Sequence, residues 1–154
     1  MKKERFLKAL YIIIPILIVA ILGSIFVNIG MPWFEALKKP SQWIPNFVIP
    51  VVWTVIYIDF LVVLILWQNN DKIPFSTIVI LIINGVLNVL WCLVFFTLRL
   101  TFVGNLVIIL NLIAGYYLIF NIKSLKPLYS YILLIYPIWL SFATSLNLAM
   151  WILN

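Results

Sequence analysis

Apolar positions gather into five long runs, and the polar residues fall between them. The runs cover Ala9 to Asn28, Phe47 to Trp67, Pro74 to Leu98, Thr101 to Asn121 and Leu128 to Leu153. A helix of about 20 apolar residues crosses a hydrocarbon core of roughly 30 Å, so each run is long enough to span a membrane. The breaks are short at Gln68 to Lys72, Arg99 and Lys123 to Pro127. Short connections make sequential helices antiparallel neighbours. The expected fold is therefore all-α: an integral membrane protein built as a five-helix bundle, one domain over residues 1–154. No internal repeat is visible, so an inverted-repeat transporter is not supported. The first run exceeds the apolar core of a signal peptide and no A-x-A site follows, so it is expected to remain as a span. Pro15 is a candidate kink within it.

The longest break, Gly30 to Asn46, differs from the others. Pro32, Pro40 and Pro45 interrupt helix continuity, and Glu35, Lys38 and Lys39 require water or headgroups. An apolar run carrying Trp53 and Tyr57 follows directly. Residues 30–46 are expected to form a lid and the second run the first wall of a site inside the bundle.

Three runs carry a stripe at helical spacing. Trp53 and Tyr57 are four apart. Asn84, Asn88, Trp91 and Phe95 follow at four, three and four, and Tyr136, Trp139, Ala143 and Asn147 repeat the pattern near the end of the chain. Such spacings put side chains on one helix face. Burying an unpaired amide in hydrocarbon costs several kcal/mol, so the asparagines should face inward. Two readings stay open. Asparagines can bond between helices while aromatics fill the core, each polar contact worth about 0.6 to 2 kcal/mol. Alternatively the stripes line a pocket for a flat apolar ligand held by stacking on Trp and Tyr. Of the seven tryptophans, Trp33, Trp43, Trp67 and Trp151 sit near span ends, where interfacial anchoring also accounts for them.

Composition agrees with lipid as solvent: 66% of residues are hydrophobic and 9% charged, with mean hydropathy +1.23. Soluble domains carry about 25% charged residues. The net charge of +6 arises from basic residues at run ends, a topology signal and not a nucleic-acid surface. Lys2, Lys3, Arg5, Lys8, Lys72, Lys123 and Lys126 share one side, against Lys38, Lys39 and Arg99 on the other. In a bacterial plasma membrane this asymmetry places the N-terminus in the cytoplasm. Cys92 is the one cysteine and histidine is absent. Disulfide, metal and haem ligation and the commonest general base are thereby unsupported, and no metal or cofactor is expected. Catalytic triads, C-x-x-C, glycine-rich phosphate loops and carboxylate pairs within a span are also missing. Asp59 is the one acid inside a run. It lies nearly opposite Tyr57 on the helix and is expected to be neutral, bonded to another helix or set at a subunit interface.

These residues resemble the TspO/MBR family, the tryptophan-rich sensory or translocator proteins, which include the peripheral benzodiazepine receptor. The likeness runs in order along nearly the whole chain. It comprises W-F-x-x-L-x-K-P at Trp33, Phe34, Leu37, Lys39 and Pro40, then Pro45 and Asn46, then W-T-V-I-Y from Trp53 to Tyr57. Asn88, Trp91, Phe95 and Phe96 follow, and then Trp139, Phe142, Ala143, Thr144, Leu146 and Asn147. Departures are Phe34 where the family usually has Tyr, and Gln42 where an aromatic is common, with Trp43 one place later. Ile44-Pro45 replaces the usual Pro-Pro, and Pro137 is displaced from the family's Pro-Tyr, leaving Ile135-Tyr136.

The resemblance implies a five-helix bundle, often a homodimer, with a pocket below the first loop. It implies binding of tetrapyrroles such as protoporphyrin IX, and in some members of cholesterol or benzodiazepine-type ligands. By this reading Trp33, Phe34, Trp53, Tyr57, Asn84, Asn88, Trp91, Phe95, Tyr136, Trp139, Phe142, Ala143 and Asn147 contact ligand. Leu37, Lys39, Pro40, Trp43 and Pro45 belong to the lid. Three functions follow: a porphyrin binder or carrier, a light-dependent porphyrin-degrading enzyme using Trp53 and Trp139 as redox partners, or a scaffold and stress sensor whose stripes are packing alone.

Overall fold

The structure, a computed structural model, describes residues 2–41 and 43–154, with side chains from Glu4 onward. Helix α1 covers Lys2–Ala36, α2 Val48–Asn70, α3 Phe75–Cys92, α4 Thr101–Leu125, α5 Pro127–Leu133 and α6 Ile135–Leu153. A π-helical turn, Leu93–Thr97, continues α3. Five helical segments are long and apolar enough to cross a membrane, the last being α5 and α6 together. The described residues contain no strand. This is the expected all-α membrane bundle.

Neighbouring contacts set the order around the bundle as α1, α2, α5 with α6, α4 and α3, which closes on α1. Two apolar clusters fill the interior. Ile12 and Ile16 of α1, Trp67 of α2, Ile122 of α4 and Leu133 of α5 belong to the cluster at the end holding the N-terminus. The other cluster, around Trp91, Phe95 and Tyr136, lies under the loop between α1 and α2. The outer faces of all the helices expose Leu, Ile, Val and Phe, as lipid contact requires.

Two boundaries and one side-chain placement differ from the sequence reading. Helix α1 passes through Pro32 and ends at Ala36, so the loop spans 37–47 and not 30–46. Prolines are tolerated in membrane helices because neighbouring helices and side chains satisfy the freed carbonyls. Trp33 and Phe34 therefore ride on the last turn of α1. The fifth span is broken at Leu134. Pro137 has no N–H to offer the Leu133 carbonyl and its ring crowds that oxygen, so the helix restarts there. Trp67, expected as an interfacial anchor, is 1% exposed and packs its ring 6.0 Å from Tyr129.

The π turn is gripped from both sides. A Cβ on Gly30 would stand 2.2 Å from the carbonyl oxygen of Phe96, and one on Gly104 would stand 2.9 Å from Cβ of Phe95. Only glycine lets α1 and α4 approach this closely. The Thr97 hydroxyl donates to the Phe26 carbonyl at 2.9 Å, fastening the turn to α1. Arg99, in the tight turn before α4, has a left-handed backbone with φ 59.

Candidate functional site

The stripes on α2, α3 and α6 meet. The Trp53 ring stacks on Tyr57 with centroids 5.8 Å apart, and it contacts Trp91 at 6.3 Å and Tyr136 at 6.4 Å. Phe60, one turn below, meets the edge of Tyr136 at 5.4 Å. Trp91 continues to Phe95 and Phe96. On α6, Trp139 lies 5.7 Å from Phe142, and Trp139 also packs against the upper cluster that contains Ala143. Asn84, Asn88, Trp91, Phe95, Tyr136, Ala143 and Asn147 are buried, while Trp53, Tyr57, Trp139 and Phe142 are half-buried. The rings fill the space between the helices, so the chamber is closed by its own side chains. Two cavities lie elsewhere, one between α4 and α5 and one beside Pro50 and Thr54.

A polar floor lies beneath these rings. The Tyr136 hydroxyl is 3.2 Å from Oδ1 of Asn84 and 3.1 Å from Oδ1 of Asn111. Nδ2 of Asn84 donates to the carbonyls of Ile80 at 2.9 Å and Ala114 at 3.2 Å. One hydroxyl proton serves one acceptor at a time. Turning the Asn111 amide would let its Nδ2, which is buried without a partner, donate to the tyrosine oxygen. The floor ties α3, α4 and α6 together at one level. Asn111 carried no signal in the stripes, because its polar partner, Tyr136, arrives from another helix.

Above the rings, the last turn of α1 and the loop form the roof. Phe34 is buried against Phe96 at 5.1 Å and Trp43 at 5.5 Å, and Trp33 meets the edge of Phe95 at 6.0 Å. The Lys39 ammonium sits 4.0 Å over the Phe34 ring and donates to the Phe34 carbonyl. Burial pushes its pKa below the usual lysine value, and nearby Glu35 offsets this in part. Pro40 is buried and Leu37 half-buried, whereas Pro45 is exposed. Trp43 donates its indole N–H to Asn46 at 3.0 Å. Gln42, one of the departures from the family pattern, lies outside the described residues. Asn154 holds the loop from the far end of the chain. Its Oδ1 accepts from the Lys38 N–H at 2.9 Å and its Nδ2 donates to the Lys38 carbonyl at 3.2 Å. Nothing in the sequence marked Asn154, since the contact links residues 116 apart.

Five buried N–H groups lack a partner among the described residues: the indoles of Trp91 and Trp139 and the amides of Asn105, Asn111 and Asn147. Only one acceptor, Oδ1 of Asn105, shares that condition. Leaving a buried donor unmade costs about 1–3 kcal/mol. Asp59 is half-buried, and no hydrogen bond or ion pair joins it to another described residue. Of the two placements expected for it, a bond to another helix or a subunit interface, the first is not formed among the described residues. Val55 and Val62, four residues before and three after it on the same helix face, are exposed on the outer surface of the bundle. No group of acids and Cys92 is arranged to hold a metal among the described residues.

Fold and chamber define a multi-pass helical membrane protein with an aromatic interior roofed by one short loop. The TspO/MBR family profile matches residues 11–152, and the chain belongs to that family. It is 31% identical to the tryptophan-rich protein TspO of Archaeoglobus fulgidus over 96% of this chain and 97% of that protein. Protein CrtK of Rhodobacter capsulatus is 29% identical over 79% of this chain and 78% of its own. The tryptophan-rich protein TspO of Bacillus cereus is 26% identical over 86% and 87%.

Proposed function

We propose that the chain binds a flat, largely apolar molecule bearing hydrogen-bond acceptors, a porphyrin-type tetrapyrrole such as protoporphyrin IX, and carries it within the membrane. One observation carries the reading. The unpartnered indole N–H groups of Trp91 and Trp139 and the Asn147 amide belong to the same stripes as the contacting rings. Aromatic faces suit a planar macrocycle, and unmade donors suit its carboxylates. Trp53, Tyr57, Asn84, Asn88, Phe95, Tyr136, Phe142 and Ala143 complete the contacting set. Trp33, Phe34, Leu37, Lys39, Pro40, Trp43 and Pro45 form or flank the roof that must part to admit the ligand. The family resemblance supports the ligand class, pairing into a homodimer, and a bacterial plasma membrane. The charge asymmetry of the ends supports a cytoplasmic N-terminus.

Light-dependent breakdown of the porphyrin is the second reading. It draws on the contacts that join Trp53 to Tyr57 and Trp91, a chain of oxidisable rings on one side of the chamber. Trp53 and Trp139 would be its redox partners. Binding itself is tested by ligand-dependent stabilisation. Protoporphyrin IX at 100 times its Kd should add about 2.7 kcal/mol to unfolding in detergent. Absence of any stabilisation would leave the scaffold and sensor reading, in which the stripes serve packing alone.

A further inference from the structure

At the end of the bundle remote from the roof, α4 and α5 leave a groove of about 150 Å3. Tyr116, Ile119, Phe120 and Lys123 of α4 form one wall, with Tyr131 and Leu134 opposite. Tyr116, Phe120 and Lys123 follow at four and three residues, one face of the helix. Lys123 lies in the last turn of α4, at the bundle end, and Tyr116 lies about 10 Å deeper along the axis. Phe120 is 66% and Tyr131 62% exposed, so the groove opens on the surface that a bilayer covers.

Two of the four polar side chains that line it are engaged within the protein. The Tyr116 hydroxyl bonds Ser141 at 3.1 Å, and Ser130, in the groove's base, donates to the Pro127 carbonyl at 2.6 Å. The neighbouring Lys126 is paired with Asp71. The Lys123 ammonium has no ion-pair partner among the described residues, and no acid lines the groove. A single unneutralised cation at the mouth of an apolar, membrane-facing groove matches one kind of molecule.

We propose that this groove binds an anionic phospholipid, its phosphate on Lys123 and an acyl chain along Ile119, Phe120 and Leu134 toward Tyr116. The sign of the charge selects an anionic headgroup, because a zwitterionic one brings its own cation to the ammonium. The apolar wall selects a lipid over a soluble anion. Lys123 also complements the carbonyl end of α4, but that role needs no groove and discriminates between no lipids. The site is separate from the aromatic chamber and does not depend on what the chamber binds.

The test uses the full chain, delipidated in a neutral detergent, with phosphatidylglycerol or phosphatidylcholine added and bound lipid counted by native mass spectrometry. Phosphatidylglycerol should bind about fivefold more tightly than phosphatidylcholine, the effect of one lysine at an anionic lipid surface. Lys123→Gln should abolish that preference. Lys123→Arg should keep it, as should Lys8→Gln, a control on α1 outside the groove. Melting curves without lipid verify that each variant is folded. Equal binding of the two lipids overturns the proposal, as does a preference that survives Lys123→Gln. Full competition by glycerol 1-phosphate would also overturn it, by showing a soluble-anion site.

Discussion

The hydroxyl of Tyr136 stands 3.1 Å from Oδ1 of Asn111 and joins α6 to α4 inside the bundle, where neither group meets water. Asn84 joins from α3 at 3.2 Å. Three helices share this contact in an interior with few other polar bonds, so its removal is felt across the bundle. Tyr136→Phe should destabilise the protein by about 0.6 to 1.7 kcal/mol, the range for interhelical polar contacts in membranes. Tyr116→Phe, whose hydroxyl bonds Ser141 at the lipid-facing surface, should cost less. Unfolding in mixed micelles compares the two.

Close approach to the π turn makes Gly30 sensitive to a methyl group, whereas Gly23 of the same helix has room for one. Gly30→Ala drives a methyl into the Phe96 carbonyl, a backbone atom that cannot swing away. Overpacking of this kind costs about 1–3 kcal/mol. Gly23→Ala meets only Cys92 Sγ at 3.6 Å, ordinary contact, and should be neutral or slightly stabilising through helix propensity. Thermal unfolding of both variants separates a local collision from a general intolerance of α1 to alanine.

Arg99 holds a backbone conformation that L-residues disfavour. Arg99→Gly should therefore stabilise the turn between the π segment and α4, by up to about 1 kcal/mol after the added chain entropy of glycine is set against it. A fall in melting temperature would show that the arginine side chain contributes more than its backbone costs.

How far the sequence discloses this molecule depends on what the solvent dictates. Lipid demands uninterrupted apolar helices, so all five spans were visible as runs, and helical period placed Trp53, Trp91 and Tyr136 on facing stripes. Contacts that depend on tertiary approach were not visible. Pro32 reads as a breaker in isolation, yet the packed bundle carries α1 past it. The π turn has no local signature, because it is set by the fit of Phe95 and Phe96 between Gly30 and Gly104. Trp67 looks like an anchor by position and is a core residue by packing. Asn111 and Asn154 act through partners far away in sequence, on elements whose relative placement no periodicity encodes.

The roof is fastened by Asn154, whose amide pairs with both backbone groups of Lys38. Asn154→Ala removes both bonds while leaving the chamber residues in place. Porphyrin should then associate and dissociate faster, with little change in Kd, because opening becomes easier in both directions. Stopped-flow fluorescence reads both rates, and unchanged rates would exclude the loop as the way in.

On the function proposed above, the contacting rings of α2 and α6 receive a porphyrin-type ligand. Titration of the purified protein with protoporphyrin IX in the dark, followed by tryptophan fluorescence, tests it most directly. Saturable quenching should appear, and Trp139→Phe should weaken binding by about tenfold, the loss of one buried hydrogen bond. Trp53→Phe should weaken it through lost stacking area. Light applied to the same complex should yield new absorbing products only if the chamber also degrades its ligand. Quenching that never saturates, or that saturates in both variants as it does in the unaltered protein, would show that these rings do not hold the ligand.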